Sequence, residues 1–125
     1  MPCQVEVAVS DGRIQAIACH HWLMSTFVIR LKAPRPTFAL DMSEEERAIM
    51  ARHAAHWQSW IDSGQMVVFG PVLDASGSWG LAVVEADHEE ELQTFAARDP
   101  VVTTGTGTVE IGKMLAGFVR PGPAR

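Results

Sequence analysis

Five histidines are the side chains of this sequence best suited to moving protons near neutral pH, because imidazole titrates closer to neutrality than any other unperturbed side chain. His20 and His21 adjoin Cys19, His53 and His56 stand three apart, and His88 stands alone. Only His53 falls squarely among apolar residues repeating at helical spacing, with Ile49, Met50, Trp57, Trp60 and Ile61 on its side of the helix. A histidine there is either a core residue whose nitrogens satisfy backbone groups or a general acid or base, and both readings stand. His53 and His56 could present two imidazoles to a metal. A fuller ligand set would need Cys19, His20 and His21 to fold over the helix, so no metal site is assigned. Asp99 precedes Pro100, where an Asp commonly caps a turn. If it met His53, it would orient the imidazole and favour its protonated form.

The remaining polar motifs carry less. Gly105-Thr106-Gly107 is not followed by a helix, so it lacks the setting in which a glycine loop cradles phosphate, and it reads as a flexible lip. Trp57, Trp60 and Trp79 read as core or interface anchors, although an aromatic ring beside a cavity also gives planar ligands a surface.

These residues need elements to position them. Thr26 to Lys32 is a β-branched and aromatic run with Phe27, Ile29 and Leu31 on one face and Val28, Arg30 and Lys32 on the other. Pro34 and Pro36 end it, and a loop carrying Phe38 follows. Ser43 with Glu46 makes a capping box, and Glu44, Glu45 and Glu46 suit the positive end of a helix dipole. The helix runs to Ser63, with Gly64 able to take the left-handed conformation beyond it. Gln65 to Phe69, ending at Gly70-Pro71, and Ser78 to Glu85 read as a hairpin about the turn Asp74 to Gly77. Asp87 and Glu90 repeat the capping spacing before a second helix bearing Leu92, Phe95 and Ala96, which Asp99-Pro100 stops. Thr108 to Val119 supplies the last strand. Strand, helix, strand, strand, helix, strand is the split βαβ order of an α+β, ferredoxin-like fold, with a mostly antiparallel sheet and both helices on one face. The other face then needs cover, and a second copy of the chain supplies it.

Composition sets the outer bounds. A chain of 125 residues, 47% hydrophobic and 20% charged, is one globular domain by length. A net charge of −5 with scattered basic residues speaks against nucleic acid. No apolar run reaches membrane-spanning length, and Cys3 and Cys19 both lie outside the core, as suits a cytoplasmic protein without disulfide staples. Residues 24–120 form the domain, 121–125 a tail and 1–23 an N-terminal extension. Within that extension Val5, Val7 and Val9 alternate towards Asp11-Gly12 and suggest a hairpin, while Met24-Ser25-Thr26 looks like a natural start that would make residues 1–23 upstream sequence.

His53 ahead of Gly64, then Val67-Val68-Phe69-Gly70-Pro71, the turn at Asp74 to Gly77, the acidic second helix and Asp99-Pro100 together resemble the YciI-like (YCII-related) family over nearly all of residues 24–120. The resemblance implies a dimeric α+β barrel, in which two ferredoxin-like domains pair through their sheets. It also implies a pocket between helix and sheet, with a His and the Asp of an Asp-Pro step as an acid–base pair, here His53 and Asp99. Arg30 is expected as an anion anchor, and Trp57, Gly70 and Pro71 as further substrate contacts. An aromatic often follows the Asp-Pro step in the family, whereas this chain has Val101. Residues 1–23 have no counterpart, which favours the start-site reading. One branch is similar to enzymes that eliminate chloride from hydroxylated rings, and muconolactone-type isomerases share the barrel. The implied activity is therefore a lyase, isomerase or hydrolase with no cofactor, acting on a small aromatic or carboxylated molecule. A monooxygenase on the same barrel would require an oxygen-reactive substrate. The competing function is a non-catalytic ligand-binding or assembly module. Access separates the two readings, since a sealed His53 fits the module and a His53 opening onto a pocket fits the enzyme.

Overall fold

In the computed structural model, which describes the backbone of residues 5–10 and 13–19 and the whole of 25–120, the chain forms two sheets. Cys3, the Asp11-Gly12 turn, His20, His21, Met24 and the tail 121–125 lie outside the described residues. β1 (Val5–Ser10) and β2 (Arg13–Cys19) pair antiparallel as a two-stranded sheet of their own.

The main sheet contains β3 (Ser25–Lys32), β4 (Met66–Asp74), β5 (Gly77–Ala86) and β6 (Thr108–Lys113) in the order β4-β5-β3-β6. All its pairings are antiparallel, so the split βαβ topology expected from the order of elements is the one formed. Strand alternation sends Phe27, Ile29, Ala82, Val84 and Ala86 to one face, where they are buried with Trp57, Trp60, Leu92 and Ala96 of the helices. Val28, Arg30, Leu81 and Val83 fall on the opposite face.

The long helix α2 (Glu44–Asp62) starts where its cap predicts. Ser43 Oγ accepts from Glu46 N–H at 3.1 Å, and Glu46 Oε1 accepts from Ser43 N–H at 2.9 Å. Arg35 binds the same Glu46 carboxylate at 2.8 and 2.9 Å and reaches Asp41 at 2.8 Å. Hydrogen bonds from Arg35 and from the Ser43 backbone hold the Glu46 carboxyl down at about 2. Gly64 follows the helix at φ 82, the left-handed conformation that its place past the C-cap calls for.

Several expectations need correction. The loop after β3 contains a one-turn helix, α1 (Phe38–Asp41), organised by Thr37 O accepting from Leu40 and Asp41 and by the burial of Phe38. Ile61 is 37% exposed rather than core, because it lies about 80° round the helix from His53 and so at the rim of the apolar arc. Gly70-Pro71 does not end β4, which runs on to Asp74. Among the described residues β4 pairs with β5 alone, and an edge strand is where a proline, lacking an N–H, is tolerated. The Asp87/Glu90 spacing does not cap the second helix, α3 (Glu89–Ala97), whose N-cap is His88 with no side-chain bond. β5 carries the chain to Ala86, paired with Ser25, which moves the helix start past Asp87. β6 ends at Lys113, paired with Phe27, rather than at Val119. The ladder stops because β3 begins only two residues earlier, and Met114 N–H to Thr26 O is its last bond. A fourth helix, α4 (Pro100–Thr103), occupies one turn after Asp99.

Candidate functional site

Three elements bring the site together. The middle of α2 presents His53 and, one turn on, Trp57 towards the sheet, while the junction of α3 and α4 delivers Asp99 beneath them. Asp99 is the N-cap of α4, with Oδ1 accepting from Val101 N–H at 2.9 Å and Pro100 in the first turn of the helix. Its other oxygen, Oδ2, accepts from His53 Nδ1–H at 2.6 Å and from Trp57 Nε1–H at 2.7 Å. The carboxylate is 1% exposed. Burial by itself pushes the Asp99 carboxyl up, but the hydrogen bonds from His53, Val101 and Trp57, together with the His53 charge, outweigh it and hold the group below its ordinary value. A buried, charged acceptor with three donors is the device that fixes one imidazole nitrogen as a donor.

The His53 side chain is 13% exposed. With Nδ1–H given to Asp99, the neutral ring carries its lone pair on Nε2, which has no hydrogen-bond partner among the described residues. Phe69 stacks on the imidazole, ring centroids 5.3 Å apart and planes inclined by 27°. His53 and Asp99 both line a cavity of about 290 Å³ between α2 and the sheet. Its walls are almost wholly apolar, including Ile29, Phe38, Met50, Phe69, Val101 and Val109. The volume suits a molecule of one ring rather than a polymer.

The other expected contacts divide. Trp57, Gly70 and Pro71 line the same cavity. Trp57 is 2% exposed and its indole N–H is used on Asp99, so the residue holds the carboxylate in place as well as forming wall. Arg30 is not brought to this cavity. It lies on the opposite sheet face, with its guanidinium 4.7 Å from the centre of the Trp79 ring, while the Trp79 indole donates to Asp74 at 2.9 Å. His56 donates Nε2–H to the Phe95 carbonyl at 2.8 Å and stacks on that ring, a structural role. Among the described residues no group of three His, Cys, Asp or Glu side chains gathers to hold a metal.

Two participants escaped sequence reasoning. Phe69 could have been found from its place in β4, since its register opposite Ala82 puts it on the helix face. Trp57's link to Asp99 has no signal in spacing, because it spans residues brought together only by the packing of α4 on α2.

Comparison with known proteins bears on this geometry. The model of the YCII-related domain matches residues 26–114. The chain belongs to the YCII-related family. No curated protein matches it. Among solved structures it is similar to 5-chloro-2-hydroxyhydroquinone dehydrochlorinase (TftG) of Burkholderia phenoliruptrix AC1100, solved with 2,5-dihydroxybenzoquinone. That likeness has a TM-score of 0.57 and 21% identity, and covers 74% of this chain and 95% of that one. It is also similar, with a TM-score of 0.45 and 19% identity over 79% of this chain and 98% of that one, to SnoaB, a cofactor-independent oxygenase of Streptomyces nogalater. The first of these likenesses supports the ferredoxin-like fold. No helix among the described residues is long and apolar enough to cross a membrane.

Proposed function

We propose that this YCII-related protein is an enzyme acting on a small organic molecule, with His53 as its general acid–base and Asp99 as the residue that orients the imidazole and stabilises the imidazolium formed when Nε2 takes up a proton. The observation that carries the reading is His53 Nε2, unpartnered and bordering the 290 Å³ cavity while Nδ1–H is held by a buried carboxylate. A sealed histidine would have supported a binding or assembly module instead. Nε2 takes a proton from an O–H or C–H of the bound molecule, the imidazolium is stabilised by Asp99, and the proton returns to product or departs with the leaving group. Elimination, isomerisation and hydrolysis all fit that sequence. The dehydrochlorinase similar to this chain performs an elimination, and the proposal carries that reaction class here first. Screening the purified protein against hydroxylated and chlorinated single-ring compounds tests it. The activity found should fall about 10²–10⁴-fold in His53→Ala, and an activity indifferent to that change removes His53 from the mechanism.

The protein is further proposed to act as a homodimer joined through the sheet face away from the helices. Val28, Val68, Val72, Leu81 and Val83 give that face an apolar centre, and Val68 is 46% exposed in the single chain. Sedimentation should find a dimer that Val83→Glu turns into monomer, and a monomeric unsubstituted chain overturns the assignment.

A further inference from the structure

The sheet face turned away from the helices carries two opposite charges that the chain does not pair. Strand register lines up Val68, Val83, Val28 and Gly112 in one row across the four strands, and Gly70, Leu81, Arg30 and Glu110 in the next. The first row has no polar side chain. A Cβ added at Gly70 or Gly112 would meet nothing within 4 Å, so both glycines leave open space at the surface rather than make room for packing within the chain. Opposite charges directly across two strands commonly pair. Arg30 and Glu110 stand in that position, yet no ion pair joins them. Arg30 instead lays its guanidinium over the Trp79 ring, 4.7 Å from the ring centre.

The carboxylate of Asp74, which feels the Arg30 charge, is already committed. Its Oδ1 accepts from the Ser76 hydroxyl at 2.6 Å and from Ser76 N–H at 2.8 Å, and its Oδ2 accepts from the Trp79 indole at 2.9 Å. Hydrogen bonds from Ser76 and Trp79 hold the Asp74 carboxyl below its ordinary value, with the Arg30 charge adding the smallest part. Glu110 is exposed and has no side-chain partner among the described residues. A guanidinium already laid on an aromatic ring loses less freedom on pairing than a free one. Covering it with a surface that brings no carboxylate would strand a desolvated charge. The face is self-complementary, because one cation and one anion lie side by side next to an apolar row. An identical surface related by a two-fold axis satisfies both charges at once.

We propose that a second copy of the chain docks on this face in the register that sets Arg30 against the partner's Glu110 and Glu110 against the partner's Arg30. The two ion pairs fix the alignment of the sheet-face dimer proposed above, on which this assignment rests. The test is sedimentation of the full chain and of Arg30→Glu and Glu110→Arg, each alone and the two mixed in equal amounts. Both positions are exposed in the single chain, so both variants should fold. In either variant alone each ion pair becomes a like-charge contact, and the homodimer should weaken by about 10³-fold or more. In the mixture each variant supplies the charge that the other lacks, and a heterodimer should form within about tenfold of the unsubstituted affinity. A pair confined to one chain cannot be restored by mixing. With the unsubstituted chain dimeric, either variant dimerising as it does, or a mixture that stays monomeric, overturns the pairing and leaves the sheet-face dimer standing. A monomeric unsubstituted chain overturns both.

Discussion

Replacing Asp99 by Asn keeps the shape of the side chain and inverts part of its chemistry. Oδ1 accepts from Val101 N–H, and Oδ2 accepts from both His53 and Trp57. An amide can offer its oxygen to only one of those two sides. With the oxygen towards His53 and Trp57, its NH₂ faces the Val101 N–H, and with the amide turned the other way it faces the indole N–H. Either arrangement leaves a donor without an acceptor at a position 1% exposed and replaces charged hydrogen bonds with neutral ones. A charge-assisted bond is worth about 1.5–3 kcal/mol, and an orphaned buried donor costs about 1–3 kcal/mol. Allowing for relaxation, Asp99→Asn should destabilise the fold by about 2–4 kcal/mol, or roughly 8–20 °C in Tm for a domain of this size. The second consequence is tautomeric. An amide NH₂ facing the imidazole favours Nε2–H with Nδ1 as acceptor, which removes the Nε2 lone pair from the cavity. Urea denaturation measures the first effect and ¹⁵N chemical shifts of the His53 ring nitrogens the second. Stability within about 0.5 kcal/mol of the parent would refute the claim that Asp99 is an ionised triple acceptor, and the tautomer tells which of the two arrangements the amide adopts.

Other perturbations follow from the same contacts. Trp57→Phe keeps much of the ring packing but removes one donor from Asp99, and should cost about 1–2 kcal/mol in urea denaturation. It should also raise the Asp99 pKa, which a carboxyl ¹³C titration reads directly. Because the folded-state value of Asp99 lies below its ordinary 3.8, its contribution to stability is complete above about pH 4 and is lost as pH falls through the depressed value. The pH dependence of stability between 5 and 2 should therefore be shallower in Asp99→Asn, Glu46 and Asp41 titrating alike in both proteins. Gly80→Ala, at the cavity floor, would bring a Cβ to 2.9 Å from Leu31 Cβ, and because that atom is anchored next to backbone the clash should cost about 1–3 kcal/mol in the same assay.

The parts of the fold legible in the sequence are those governed by local rules. The Ser43–Glu46 box and Gly64 bracket α2 because capping and left-handed backbone are decided within a few residues. The alternation of Phe27, Ile29 and Leu31 sets the buried face of β3 for the same reason. Where sequence reasoning slipped, a distant partner decided the outcome. Pro71 stays in a strand because β4 happens to be an edge, and β6 stops early because β3 supplies no further pairing. The pairing of His53 with Asp99 also depends on a distant partner, and only the family resemblance, not local pattern, suggests it from the sequence. Helical periodicity puts His53 on the inner side of α2, and the residue types around Asp99 make it a cap, but nothing local aims the one at the other. The missing element is α4, a single turn with too few residues to leave a periodic signal. It turns the chain immediately after α3 and packs on α2, and that turn carries the Asp99 carboxylate away from solvent. Burial is then what gives the pair its strength. An exposed Asp–His contact is screened and contributes little, whereas at 1% exposure the carboxylate needs every donor within reach, and His53, Trp57 and Val101 N–H are held in one geometry by that need.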